Sequence, residues 1–152
     1  MELFISMKTW IATTIIDAGP EAVLDVLTDP DLVARWAPLP FDVEDLDTPR
    51  LMTGSRARVS GRLAGRRVGF DVEVHEAVPR RLALAAHGPV GLDVAYDWSA
   101  SGDGSEVRAS ISVRSGKGFT GRLLAEATNA LLSAGALTHA ISRLAREAAC
   151  PA

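Results

Sequence analysis

The chain predicts an α+β fold: a curved antiparallel sheet of about six or seven strands wrapped around one long C-terminal helix, with two short helices after the first strand. Three observations carry this reading. Between residues 41 and 114, short runs alternate apolar and polar residues at a period of two, as half-buried strands do. From about 119 to 149 a helical period replaces that alternation. Ahead of both lies "PEAVLDVLTDPDLVARWAP" (20–38), in which Pro20 and Pro30 suit first helical turns and Pro38 stops the second helix.

Each element has its own local cause. "KTWIATTIID" (8–17) is rich in β-branched residues and reads as the opening strand. In the helix that follows, Ala22, Val23, Val26 and Leu27 make an apolar stripe, with Glu21 and Asp25 near the positive end. The next helix turns Leu32, Val33 and Trp36 to one side. Helices this short are marginal alone, so both must be clamped on something larger.

The sheet runs are "FDVEDLD", "SRARVSGRL", "VGFDVEVHE", "RLALAAHG", "LDVAYDWSA" and "EVRASISVR", separated by "AGRR", "VPR", "GPVG" and "SGDGS". In the fifth run Leu92, Val94, Tyr96 and Trp98 share one face, and Asp93, Ala95, Asp97 and Ser99 the other. Such a consecutive antiparallel series has one wet face. Along the last helix, Leu124, Ala127, Leu131, Ala134, Thr138, Ile141 and Ala145 form a single broad stripe, widened by Leu123, Leu137 and Leu144, toward the sheet. Small residues lie on both sides of that contact: Ala57, Gly61, Ala86 and Ala109 on strands, Ala127, Ala134 and Gly135 on the helix. They either draw helix and sheet together or leave space.

Length and composition bound the function. At 152 residues, the chain fits one domain, 1–152, with a substantial core. Apolar residues make up 47% and charged residues 23%, with a mean hydropathy of +0.14, which describes a globular protein. The net charge of −3 is unevenly spread, with ten Asp or Glu against three Lys or Arg in residues 1–50. That acidic beginning argues against nucleic-acid binding, and the basic set "SRARVSGRLAGRR" reads as a solvated strand face and turn. Cys150 is the only cysteine, so no intrachain disulfide forms, and its place beside the terminal "PA" is unsuited to a buried catalytic thiol. "MELFISMKTW" has Glu2 where a signal peptide is basic, and no apolar stretch is long enough to span a bilayer. The expectation is a cytoplasmic monomer or homodimer.

Several motifs are better read as structure. "GKGFTG" (116–121) has the spacing of a dinucleotide fingerprint but no following parallel strand, so Gly116, Gly118 and Gly121 make a strand-to-helix turn. His75, His87 and His139 lack the spacing of a zinc motif, and no metal or cofactor is expected. No G-x-S-x-G elbow presents a serine nucleophile.

The order of strand, two short helices, antiparallel strands and long terminal helix, with "EAVLDVLTDPDLVARW" (21–36), resembles the START-like (SRPBCC) superfamily and, within it, the polyketide cyclase/dehydrase-like proteins. The likeness covers roughly residues 8–148. It implies a helix-grip fold with a cavity between sheet and C-terminal helix, closed at one end by the paired helices, with Leu39, Pro40 and Phe41 at its rim. The implied function is binding of a small apolar or aromatic ligand such as a polyketide or lipid. The alternatives are a cyclase/aromatase performing aldol closure and dehydration, and a protein-interaction or co-chaperone-like module with a filled core. Under the first two readings the candidate ligand contacts are Trp36, Phe41, Phe70, Tyr96, Trp98, Leu131 and Thr138, with Asn129 as a further hydrogen-bonding group. Tyr96 is the best candidate for an inward catalytic group, by strand parity.

Overall fold

The computed structural model describes residues 8–37, 41–63, 65–114 and 118–149. Leu39, Pro40, Gly116 and Cys150 lie outside the described residues. The elements run β1 (Lys8–Ile16), α1 (Pro20–Thr28), α2 (Val33–Trp36), β2 (Phe41–Leu46), β3 (Arg56–Leu63), β4 (Arg66–Val78), β5 (Arg81–His87), β6 (Gly91–Ser101), β7 (Gly104–Arg114), α3 (Gly118–Ser133) and α4 (Ala136–Ala149). This is the expected helix-grip architecture, with every strand run realised.

The sheet has seven strands in the order β1-β7-β6-β5-β4-β3-β2, all antiparallel. Strands β2 to β7 follow one another as a meander, and β1 closes against β7 with Trp10 opposite Ile111 and Ile16 opposite Ser105. Register shifts at Val43/Asp45 and Val74/Glu76 mark bulges, which bend a strand and raise its local twist. Alternation sorts the faces as the sequence requires. Val59, Phe70, Leu82, Leu92, Tyr96, Val107 and Ile111 are buried, whereas Arg56, Arg58, His87, Glu106 and Arg108 are exposed.

The helices lie against the inner face. In α1, Pro20 occupies the first turn, and Val23, Val26 and Leu27 are buried. The helix is tied to the sheet at its start, where Trp98 Nε1 donates to Pro20 O at 3.1 Å, and at its end, where Leu51 N donates to Thr28 O at 2.9 Å. The four-residue α2 has no strength of its own and is held by α4. Arg143 Nε and Nη2 donate to Arg35 O at 2.9 Å and Ala37 O at 3.0 Å, placing a cation on the carbonyl end of α2.

The C-terminal helical region departs from one continuous stripe. It is interrupted at Ala134–Gly135, where Gly135 adopts φ +102, a conformation open to glycine and strained for other residues. The break resets the helical phase. α3 buries Leu124, Ala125, Thr128 and Leu132, and α4 buries Leu137, Ala140, Ile141, Leu144 and Ala148. Leu131 of α3 and Thr138 of α4, which the expected stripe puts against the sheet, are both exposed. α4 packs on β1 and on the two short helices, while α3 reaches β3 and β7. Trp10 Nε1 donates to Asn129 Oδ1 at 3.0 Å and joins β1 to α3.

Candidate functional site

A partly open cavity of about 90 Å³ lies between α2 and the inner face of the sheet. Its walls come from nearly every layer of the fold. α2 and its end give Val33, Trp36 and Ala37; β2 gives Phe41 and Val43; the segment after β2 gives Leu51; and β3 gives Ala57 and Val59. Val72 of β4, Leu84 and Ala86 of β5, Leu92 and Val94 of β6, and Ile111 of β7 complete it. Two small residues create the room. Ala57 and Ala86 stand where larger side chains fill neighbouring positions of the same face, and the space opposite them is left open.

None of the described lining residues comes from α3 or α4. That corrects the expected position between sheet and C-terminal helix. The reason is the division of labour among the helices: α4 is committed to β1, α1 and α2, so α2 itself roofs the open part of the sheet. Leu131 and Thr138 are accordingly not cavity residues. Asn129 spends its carbonyl on the Trp10 indole and is a structural partner.

The remaining expected contacts divide into two groups. Trp36 and Phe41 line the cavity. Phe70, Tyr96 and Trp98 stand behind it, each buried and none among the lining residues. Phe70 meets Phe41 edge to face at 5.1 Å between ring centroids, and Tyr96 meets Trp36 in the same way at 5.4 Å with planes at 79°. The back row thus fixes the two aromatic residues that face the space. Trp98 has its indole hydrogen bond committed to Pro20 O.

Tyr96 differs from Trp98 in one respect. It is fully buried, and its hydroxyl has no hydrogen-bond partner among the described residues. Burial pushes the phenol well above its ordinary pKa, and the charge of nearby Arg143 offsets this only in part. The group therefore stays protonated across the physiological range and acts as a neutral donor or acceptor. Among the described residues it has no carboxylate or imidazole hydrogen-bonded to it through which to work as a general acid or base. His75 and His87 are exposed on the outer face and His139 is exposed on α4. Among the described residues, no group of three or more His, Cys, Asp or Glu side chains is placed to hold a metal ion. No described helix is long and apolar enough to cross a membrane.

Strand parity made the inner face of β6 and β4 legible in the sequence, together with the small residues Ala57 and Ala86. What sequence reasoning missed was Arg143. Its role in holding α2 depends on a contact 106 residues distant along the chain.

The family model described as polyketide cyclase/dehydrase and lipid transport matches residues 9–149. The curated proteins contain no match to the sequence. Among solved structures, a protein from Chromobacterium violaceum is similar with a TM-score of 0.68 at 16% identity, covering 94% of this chain and 98% of its own. One from Nitrosomonas europaea gives 0.66 at 14% identity, covering 91% and 92%. The di-domain ARO/CYC BexL from the BE-7585A biosynthetic pathway gives 0.67 at 16% identity over 96% of this chain, which spans 51% of that one. At such identities these structures testify to the fold alone. The family model reaches almost the whole described chain, and with it the type of ligand cavity that the helix-grip fold builds; on that basis the protein belongs to the polyketide cyclase/dehydrase and lipid transport family of the START-like superfamily.

Proposed function

We propose that the protein binds a small apolar or aromatic molecule, holding one ring or a short hydrocarbon segment in the cavity beneath α2. The single observation that carries this is the lining: all fourteen described wall residues are aliphatic or aromatic, Ala57 and Ala86 among them. Apolar groups gain about 25 cal/mol for each Å² removed from water, so such a cavity favours a hydrocarbon surface. Its volume of about 90 Å³ is well under the roughly 300–1,000 Å³ of a drug-sized site. A larger molecule would insert one end, leaving the rest at the open side or displacing α2.

The lining supports binding rather than aldol cyclisation. Closing a poly-β-keto chain and expelling water needs proton transfer by positioned groups, and no described wall residue is ionisable. The open volume also weighs against an interaction module with a filled core. Mass spectrometry of freshly purified protein, native and then denatured, tests the reading. The expected result is a stoichiometric apolar or aromatic adduct released on unfolding, and absent from the Ala86→Leu variant, whose side chain occupies the cavity. An adduct retained equally by that variant would place the ligand elsewhere and overturn the proposal.

A further inference from the structure

Part of the stripe expected against the sheet points away from it. On α3, Phe119, Leu123 and Leu131 are 77%, 43% and 41% exposed, Ala130 is exposed and Ala127 is half-buried. At about 100° per residue, these five side chains fall on one side of the helix, within an arc of about 120°. The buried residues Ala125, Thr128 and Leu132 take the opposite side. A helix that shows one side to water ordinarily carries polar residues there, so α3 has an apolar face more than its packing on the sheet uses.

Two charges border this outer face on one flank. Arg122 and Glu126 stand about one turn apart, and among the described residues neither makes an ion pair; Arg122 Nε reaches the Gly118 carbonyl of its own helix at 3.5 Å. The face is also graded by size, with Phe119 and Leu123 in the first half of the helix and Ala127 and Ala130 in the second, Leu131 lying at the margin. Both features are self-complementary under one arrangement. Two copies of α3 laid antiparallel, with a two-fold axis between residues 125 and 126, set the bulky half of each against the small half of the other. The same axis keeps the charged flanks on one side and brings Arg122 of each copy within about one helical turn of Glu126 of the other. A parallel pairing sets bulky on bulky and puts the charged flanks on opposite sides.

We infer that the outer face of α3 is a self-association surface whose partner is a second copy of the chain, paired antiparallel through α3 about a two-fold axis. A second copy suits the face better than a lipid surface, because the flank carries one cation and one anion rather than a row of cations. The sixteen residues of α3 make a helix about 24 Å long, so the contact is at the small end of specific interfaces and the dimer forms and separates with concentration. None of the described wall residues of the cavity comes from α3, so association is a property separate from ligand binding.

Sedimentation equilibrium of the full chain, from about 20 µM to about 1 mM, tests this. The expected result is a monomer–dimer equilibrium that Leu123→Glu abolishes. Arg122→Glu and Glu126→Arg, taken singly, set like charges against each other across the axis and should each weaken association about tenfold, since the dimer has two such exposed contacts. An equimolar mixture of these two variants should associate as the parent does, because every charge contact across the axis is again between opposites. The charges within each helix stay alike in the mixture, so recovery reports the contact between chains alone. A monomer at every concentration would overturn the inference, and a dimer that survives Leu123→Glu would place the contact elsewhere and overturn it too. Failure of the mixture to recover association would refute the antiparallel pairing. Binding of a monomeric parent to vesicles of equal parts phosphatidylcholine and phosphatidylglycerol, lost in Leu123→Glu, would assign the face to a membrane surface and likewise refute it.

Discussion

Replacing Ala86 with leucine should make the protein more stable and close its cavity, and the size of the effect follows from the structure. Ala86 is buried on β5 and faces the open volume between α2 and the sheet. An unfilled volume of about 90 Å³, at about 24 cal/mol per Å³, holds back about 2 kcal/mol of stability. The three carbons that leucine adds are worth about 0.8 kcal/mol each when buried, which reaches the same figure by an independent route. Ordering the new side chain returns about 0.5–1 kcal/mol. The net gain expected for Ala86→Leu is about 1–1.5 kcal/mol, or about 2–6 °C in melting temperature for a chain of this length. Differential scanning calorimetry measures the gain, and titration with cumene measures the loss of binding. Ala57→Leu, two strands away on the same wall of the cavity, serves as the control for a rotamer that happens not to fit. If both variants melt lower than the parent, the volume is not available to a side chain and the reasoning fails. If Ala86→Leu gains stability yet binds cumene undiminished, the cavity is real but is not the binding site.

Other consequences are equally direct. Arg143→Met removes two hydrogen bonds from α2 and should cost about 1–3 kcal/mol; hydrogen exchange should show faster opening of residues 33–37 than of the sheet, and a uniform change would argue against a local clamp. Tyr96 has a pKa raised by burial, so its stabilising contribution is complete below the ordinary phenol value and is lost as pH rises past about 10 toward the folded value. Since it is the only tyrosine, near-ultraviolet absorbance should report no tyrosinate in the native protein at pH 10, and ionisation should coincide with unfolding at higher pH; early titration of the folded chain would contradict its burial. Gly104→Ala should destabilise by about 3 kcal/mol, because the added Cβ would stand 2.1 Å from the Ile16 carbonyl oxygen, a backbone atom that cannot swing aside. Chemical denaturation measures this, and a change below about 0.5 kcal/mol would mean that β1 shifts freely against β7.

Much of the architecture was legible before any coordinate. Period-two alternation fixed which side chains of each strand face inward, because successive residues of an extended chain must point to opposite sides. Leu92, Val94, Tyr96 and Trp98 therefore share the inner face in the structure as in the reading. The prolines at 20 and 30, with their apolar stripes, likewise announced two short helices, though Pro30 precedes the ordered turn of α2 rather than opening it. The C-terminal stripe was less secure. Neighbouring helical side chains point about 100° apart, so α3 buries Leu132 and leaves Leu131 out, and beyond the break at Gly135 α4 buries Leu137 and leaves Thr138 out.

The candidate site shows the boundary between the two kinds of information. Local rules determined its ingredients: the strand faces, the small side chains of Ala57 and Ala86, the aromatic residues Trp36, Phe41 and Tyr96, and the scarcity of inward ionisable groups. They could not determine which aromatic residue meets open volume and which stands behind it. That choice depends on where α2 rests, and α2 is positioned by Arg143 and Glu147 from the far end of the chain. Nor could sequence reveal that, among the described residues, two of the buried aromatic polar groups lack partners while Trp98 has one, since pairing is a property of distances between remote segments. Periodicity is a local consequence of backbone geometry and is written along the chain; a cavity is what remains after all segments have packed, and only the tertiary structure decides it.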